Sequence, residues 1–261
     1  VPPGLPTVTA VVVTCDRPRL LADALAGVAR QRRPPVEVRI GNDGHPDLGD
    51  ALAVLRKIET TVVGTRSGGA AAARNRAARG ASGEALAFLD DDDRWLPGHL
   101  EGLAAALADP AVGVAFADCA VVREELGPGG ARAELARRVI AHDWDDALMR
   151  HDDFIPPSAL MVRRALFERL GGFDESFRFS EDWDLLLRAA ALTTPRRVPG
   201  VSVEIRMRAT GNASADFGAE RLECLRRLAA RHGLAPIEPK TFWEVAEAVA
   251  SAQARDAGGA S

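Results

Sequence analysis

Val8–Thr14 reads VTAVVVT, an apolar, β-branched run without alternation. A strand with one wet face would alternate, so this one is expected to be buried on both faces, as strands are in parallel sheets covered by helices. The pattern returns down the chain at 36–40, 60–64, 85–89 and 112–116. Between these strands, Pro18 opens a helical stretch with Leu21, Leu25 and Val28 on one face and Asp16 as its expected cap. Segments 48–58, 69–79 and 96–107 read as further helices. This alternation predicts an α/β domain with a mostly parallel central sheet. Ligands of such sheets bind beyond the carboxyl ends of the strands, so the residues just after each strand are the ones to inspect.

The rest of the chain is less regular. Residues 124–132 carry Gly and Pro and read as a loop, and no periodicity is legible from 124 to 157. Segment 158–163 reads as a strand leading into a short helix, 181–191 as a helix, and 197–207 as a strand. Two amphipathic helices, 219–232 and 242–255, follow.

Composition narrows the function classes. The chain has 261 residues, 47% hydrophobic and 27% charged, enough for a full core without disulfides or metal staples. A net charge of −4 argues against nucleic acid as a partner. Lysine stands only at 57 and 240, so arginine supplies 31 of the 33 basic residues and a lone Arg is weak evidence. Cys15, Cys119 and Cys224 lack zinc or disulfide spacing, which suits a reducing cytoplasm. No apolar run reaches the ~18 residues of a membrane span, and the opening VPPGLPT lacks the basic region of a signal peptide.

Four constellations follow predicted strands or open predicted helices. Asp90-Asp91-Asp92-Asp93 comes directly after ALAFL. Adjacent carboxylates repel by about 1 kcal/mol per pair even in water, and a hard divalent cation, Mg²⁺ or Mn²⁺, would relieve that. A solvated acidic turn is the plainer alternative. Ser67-Gly68-Gly69 with Ala73-Arg74-Asn75 offers a helix start for phosphate and a guanidinium for phosphate or a base carbonyl, or else simply a glycine turn before an Ala-rich helix. Asp43, in Asn42-Asp43-Gly44, could accept a hydrogen bond from a nucleobase or ribose, or merely make a turn. Glu181-Asp182 opens a helix whose dipole favours an ionised carboxylate, which is the form a general base needs.

Together these segments resemble the family 2 nucleotide-sugar glycosyltransferases of the inverting GT-A type, from about Val8 to Ser214. TVTAVVVTCDRPRLLADALAGVARQ resembles the opening strand and helix, and GNDGHPD the second-strand turn. RSGGAAAARNRAARGASGEALAFLDDDDRWLPGHLE resembles the glycine turn, the Ala-Arg-Asn helix and the acidic metal motif. FIPPSALMVRRALFERLGGFDESFRFSEDWDLLLR resembles the acceptor-side segment. The resemblance implies a Rossmann-like, three-layer α/β/α GT-A fold with C-terminal helices. Residues 1–215 would form the catalytic domain, 1–120 its nucleotide-sugar half and 121–215 its acceptor half, with 216–261 a helical appendage.

The resemblance also implies roles. Thr14 and Asp43 would line the base and ribose pocket, with Cys15 where many members carry a stacking Tyr, and Arg74 beside base or phosphate at the Gly69 turn. Asp92 would ligate the metal, with Asp90 or Asp91 on ribose or a second coordination position. Asp182 would be the general base and Glu181 its support. Ser67 stands where Asn is common. Arg208 falls near a metal-contacting His of many members; an Arg cannot ligate a metal, but with Arg206 it could neutralise a diphosphate.

The implied reaction moves a sugar, from a UDP-sugar for preference, to a hydroxyl of a saccharide, lipid carrier or small natural product, with inversion. A homodimer is compatible with this reading. Two rivals are a catalytically degenerate nucleotide- or carbohydrate-binding module and a sugar-nucleotide pyrophosphorylase. The latter lacks its Gly-rich basic loop, because Thr14-Cys15-Asp16-Arg17 stands in that place.

Overall fold

The computed structural model describes residues 4–45, 47–65, 68–127, 132–209 and 217–258. Ser67 and the far end of the resembling segment, around Ser214, lie outside them. The chain opens β1 (Val8–Thr14), α1 (Pro18–Ala29), β2 (Glu37–Asn42), a 3-10 turn (Gly49–Leu55), β3 (Glu59–Gly64), α2 (Gly69–Ala78), β4 (Ala85–Asp90), β5 (Arg94–Trp95) and α3 (His99–Ala106). It continues with β6 (Val114–Leu126), β7 (Arg132–Ile140), α4 (Asp146–Met149), β8 (Leu160–Arg163), α5 (Arg164–Arg169), α6 (Glu181–Ala190), β9 (Arg196–Met207), α7 (Ala219–His232) and α8 (Phe242–Gly258).

One sheet runs through the molecule in the order β3-β2-β1-β4-β8-β6-β9-β5, with β7 paired to β6. Strands β3, β2, β1 and β4 are parallel, and β6 pairs parallel to β9, while β8 is antiparallel to both β4 and β6. β1 is buried along its whole length, as its sequence requires. Its neighbour β4 is buried from Ala85 to Leu89 and first meets the surface at Asp90. Among the described residues no helix is long and apolar enough to cross a membrane.

Four expectations need correction. The fifth strand does not stop at Phe116: β6 continues to Leu126, because Ala115 to Val122 are all buried between β8, β9 and β7. The expected loop at 124–132 is therefore shortened from both sides, its first residues closing β6 and Arg132 opening β7. β7 itself, RAELARRVI, is exposed over most of its length and carries arginines. Such an edge strand has no apolar face to announce it, and its charges discourage further pairing.

The helix expected at 48–58 is a 3-10 turn starting at Gly49. Asp16 does not cap α1. It lies at φ +54, and its carboxylate accepts the His45 backbone N–H at 2.7 Å, leaving Arg17 at the cap position with no side-chain cap.

Packing of α2 on the sheet fixes where Arg74 points. A Cβ added at Gly41 of β2 would lie 2.4 Å from the Ala73 carbonyl oxygen. Only a glycine lets the helix backbone come that close. Gly41→Ala should therefore push α2 outward and lower stability by about 1–3 kcal/mol, the usual cost of overpacking. Urea unfolding would measure it; an unchanged midpoint would show that α2 is not held by this contact.

Candidate active site

The strand ends deliver the acidic run to the floor of a cavity of about 830 Å³. Asp90 closes β4 and accepts Arg74 Nη2 at 2.6 Å. Asp91 is fully buried and accepts the Thr14 hydroxyl at 2.6 Å and Arg17 Nε at 3.2 Å. Burial pushes its carboxyl up to about 6, against the opposing pull of Arg17 and Thr14. Asp92 accepts Arg17 Nη1 at 3.0 Å and Arg208 Nη2 at 2.6 Å on the same oxygen, Oδ2. Asp93 turns inward, where its carboxylate accepts the Arg206 backbone N–H at 3.0 Å. Burial, followed by the charges of Asp92 and Asp90, holds its pKa well above the carboxylate range.

Arg74 is 3% exposed and joins the two sides of the cavity. Its second nitrogen donates to Glu181 Oε1 at 2.5 Å, and its guanidinium lies 5.4 Å from the Phe173 ring centroid. This explains how a cation survives in the interior: it is paired twice and packed on an aromatic face. One arginine on α2 thus ties the end of β4 to the start of α6, 107 residues later than Arg74.

Asp182 sits next to Glu181 in the first turn of α6, behind Ser180 at φ +64. The helix dipole was expected to keep it ionised. In the folded protein, burial and then the Glu181 charge outweigh that local effect and push its pKa up to about 7, although Arg74 pulls the other way. Asp153 lines the same cavity and is raised by burial and by the Asp182 charge. The lining also includes Leu225 of α7, Ile237, Pro239 and Phe242 of α8.

The other residues singled out in the sequence lie as follows. Asp43 accepts the backbone N–H groups of Gly68 (2.7 Å) and Gly69 (2.8 Å) and the Thr65 hydroxyl (2.5 Å). The start of α2 thus already holds an anion from its own chain. Gly69, at φ +82, gives its N–H to Asp43. Arg206 is buried and donates to Asp23 (2.6 Å) and to the Asp93 carbonyl (2.9 Å). Cys15 is exposed at the end of β1, and all three cysteines are free.

Residues 9–171 match the profile of glycosyl transferase family 2, and 130–231 that of a glycosyltransferase-like family 2. The chain belongs to glycosyl transferase family 2. It is 33% identical over 237 residues to the uncharacterized glycosyltransferase YwdF of Bacillus subtilis, covering 90% of this chain and 87% of that one. It is 29% identical over 124 residues to the pre-mycofactocin glycosyltransferase of Mycobacterium tuberculosis, covering 47% of this chain and 26% of that protein. Its fold matches S. aureus TarS 1–349 in complex with UDP-GlcNAc, with a TM-score of 0.63 at 18% identity, covering 86% of this chain and 66% of that one. A second TarS 1–349 structure gives a TM-score of 0.62 at 20% identity, and this chain spans 64% of it. The expected GT-A architecture is therefore the observed one.

Enzymes of family 2 generally use a divalent metal ion. In this structure the carboxylates that would hold such an ion, Asp92 and Asp90, are paired with arginines. Among the described residues no three His, Cys, Asp or Glu side chains converge as ligands. The Asp92 oxygen carries two guanidinium groups, and Asp90 carries a third through Arg74.

Several residues that line the cavity were not among the expected site residues, Arg17 and Asp153 among them. Arg17 lines the cavity, and the strand-end rule would have reached it, two residues beyond Cys15. Asp153 lies in the aperiodic stretch, where no local pattern marked it.

Proposed function

We propose that this chain is an inverting glycosyltransferase that moves a sugar from a nucleotide diphosphate sugar, a UDP-sugar, to a hydroxyl acceptor, with Asp182 as general base and Glu181 as its support. The observation that carries this is the Arg74 bridge: it places the start of α6, with Asp182, in the same cavity as the strand-end carboxylates. The UDP-GlcNAc complex of a structural neighbour supports the choice of donor. In the reaction, the acceptor hydroxyl gives its proton to the Asp182 carboxylate as its oxygen bonds to the anomeric carbon. The bond from that carbon to the diphosphate breaks on the opposite face, and the nucleoside diphosphate leaves with the electron pair. A single in-line displacement inverts the anomeric centre, by the logic that separates inverting from retaining glycosidases.

In this reading residues 1–120 provide the donor half and 121–215 the acceptor half of the catalytic domain, with Thr14, Cys15 and Asp43 nearest the base and ribose. The appended helices at 216–261 complete the acceptor wall through Leu225 and Phe242. Free cysteines suit a cytoplasmic enzyme.

Incubation with α-linked UDP-sugars and a panel of small hydroxyl acceptors tests the reading. The product should carry a β-linkage by its anomeric NMR coupling. Because the base must be ionised and its pKa lies near 7, kcat/KM should rise with pH and level off above about 7. An α-linked product, or a profile flat from pH 5 to 8, would remove Asp182 from the role.

A further inference from the structure

We propose that the acceptor of this glycosyltransferase is a small alcohol or phenol with an apolar body, seated against the C-terminal segment, and not a saccharide. The inference rests on the nucleotide-sugar reading above and names the acceptor class of that same cavity.

The chain between α7 and α8 runs along the cavity and is anchored there. α7 stops at Gly233, whose φ of +60 suits the end of a helix. Arg221 of α7 donates to the Lys240 carbonyl at 2.6 Å. Lys240 Nζ donates to both oxygens of Asp152, at 2.6 and 2.9 Å. Thr241 and Glu244 then cap α8 reciprocally: Glu244 Oε2 accepts the Thr241 backbone N–H at 2.7 Å, and the Thr241 hydroxyl accepts the Glu244 backbone N–H at 3.2 Å. These anchors hold Ile237, Pro239 and Phe242 at the cavity, where Leu225, Val245 and Phe179 join them in its lining.

These apolar side chains share one cavity with Asp182 and Asp153. The charged side chains that the C-terminal segment brings to it are engaged within the protein, Lys240 with Asp152 and Arg221 with the Lys240 carbonyl, while Glu238 is exposed to water. A saccharide carries hydroxyls all round its ring. Each one pressed against Ile237 or Phe242 would lose its water without gaining a partner. An alcohol with an alkyl or aryl body brings one hydroxyl, the one needed at Asp182, and gains by burying the rest. The cavity of about 830 Å³ has to take the donor as well, so the body is small, on the order of one ring or a short chain. In the transfer the alcohol oxygen bonds to the anomeric carbon, its proton passes to the Asp182 carboxylate, and the nucleoside diphosphate leaves with the electron pair.

Transfer from UDP-glucose, UDP-galactose and UDP-GlcNAc, with Mn²⁺ present, is measured to ethanol, 1-butanol, 1-hexanol, 1-octanol and 2-phenylethanol, and to glucose, N-acetylglucosamine and maltose. Calorimetric titration of each UDP-sugar alone runs beside it. With the UDP-sugar that binds best, kcat/KM should rise about three- to fourfold per methylene along the alcohol series and then level off. The best alcohol should exceed every saccharide by about tenfold or more. Ile237→Asn should raise the KM for 1-hexanol by about tenfold with little change in kcat, and the milder Ile237→Val by about twofold. Thermal midpoints check that both variants are folded, and the chain-length series on the wild type stands without them. A saccharide used better than every alcohol, no transfer to any alcohol, or rates flat with chain length would overturn the inference, while UDP-sugar binding in the titration upholds the donor reading. Transfer only to 1-dodecanol held in phosphatidylcholine vesicles would make the acceptor a lipid and overturn it as well. Absence of UDP-sugar binding would overturn the donor reading, and this inference with it.

Discussion

Asp182→Asn is expected to fold, to bind nucleotide, and to lose sugar transfer by roughly 10²–10⁴-fold, the range for a positioned general base. Asparagine keeps the size of the side chain and an oxygen that can still accept the Trp183 backbone N–H, which Asp182 Oδ1 accepts at 2.9 Å. What it loses is the ability to take a proton. Glu181→Gln should lose less activity, since Glu181 is turned to Arg74. Residual activity of Asp182→Asn should also lose the rise toward pH 7 that marks the wild type. The carboxyls of Asp182, Asp153 and Glu181 interact, so the measured limb belongs to the group as a whole. If Asp182→Asn is near wild type and Glu181→Gln is dead, the base stands one residue earlier. If both are active, Asp153 becomes the candidate, because it lines the same cavity and its carboxyl is raised by burial and by the Asp182 charge.

The second large effect is on stability. Arg74→Met should destabilise the fold by about 3–5 kcal/mol, the cost of breaking a buried ion pair by removing one partner. Methionine replaces the volume against Phe173, but Glu181 is left with its charge in the interior and Asp90 loses its partner. The size of the loss is set by those orphaned acids, not by the arginine. Asp90→Asn and Glu181→Gln added to Arg74→Met should therefore recover most of the stability without recovering transfer. Urea unfolding of the single and triple variants decides the matter. A triple variant no more stable than Arg74→Met would mean that Arg74 acts through packing alone.

The bridge ties the stability of the interior to the shape of the cavity. The same arginine that pairs two acids in the interior ties the end of β4 to the start of α6. A loss of activity at Arg74 therefore needs the stability measurement beside it.

Much of this was legible in the linear sequence. VTAVVVT and ALAFL announce buried strands because a strand covered on both faces must be apolar at every position. The residues after those strands could be singled out because a parallel sheet gathers its strand ends on one side. Glu181-Asp182 was legible as a helix start, and the ordered set of motifs pointed to the family. These are local patterns, carried by residues a few positions apart.

What the tertiary structure alone decided depends on distance through space. β7 was invisible because an exposed, arginine-bearing edge strand has no buried face to impose a period. Asp43 takes the N–H groups at the start of α2, a competition between two turns that each read as a ligand site. Asp182 has its pKa raised by burial and then by the Glu181 charge, with Arg74 of α2 pulling the other way, whereas the sequence showed only its own helix dipole. Arg208 meets Asp92 across 116 positions, and Arg74 meets Glu181 across 107. Charges interact through space in the low dielectric of the folded interior, and no spacing along the chain records which of 31 arginines will arrive at which carboxylate.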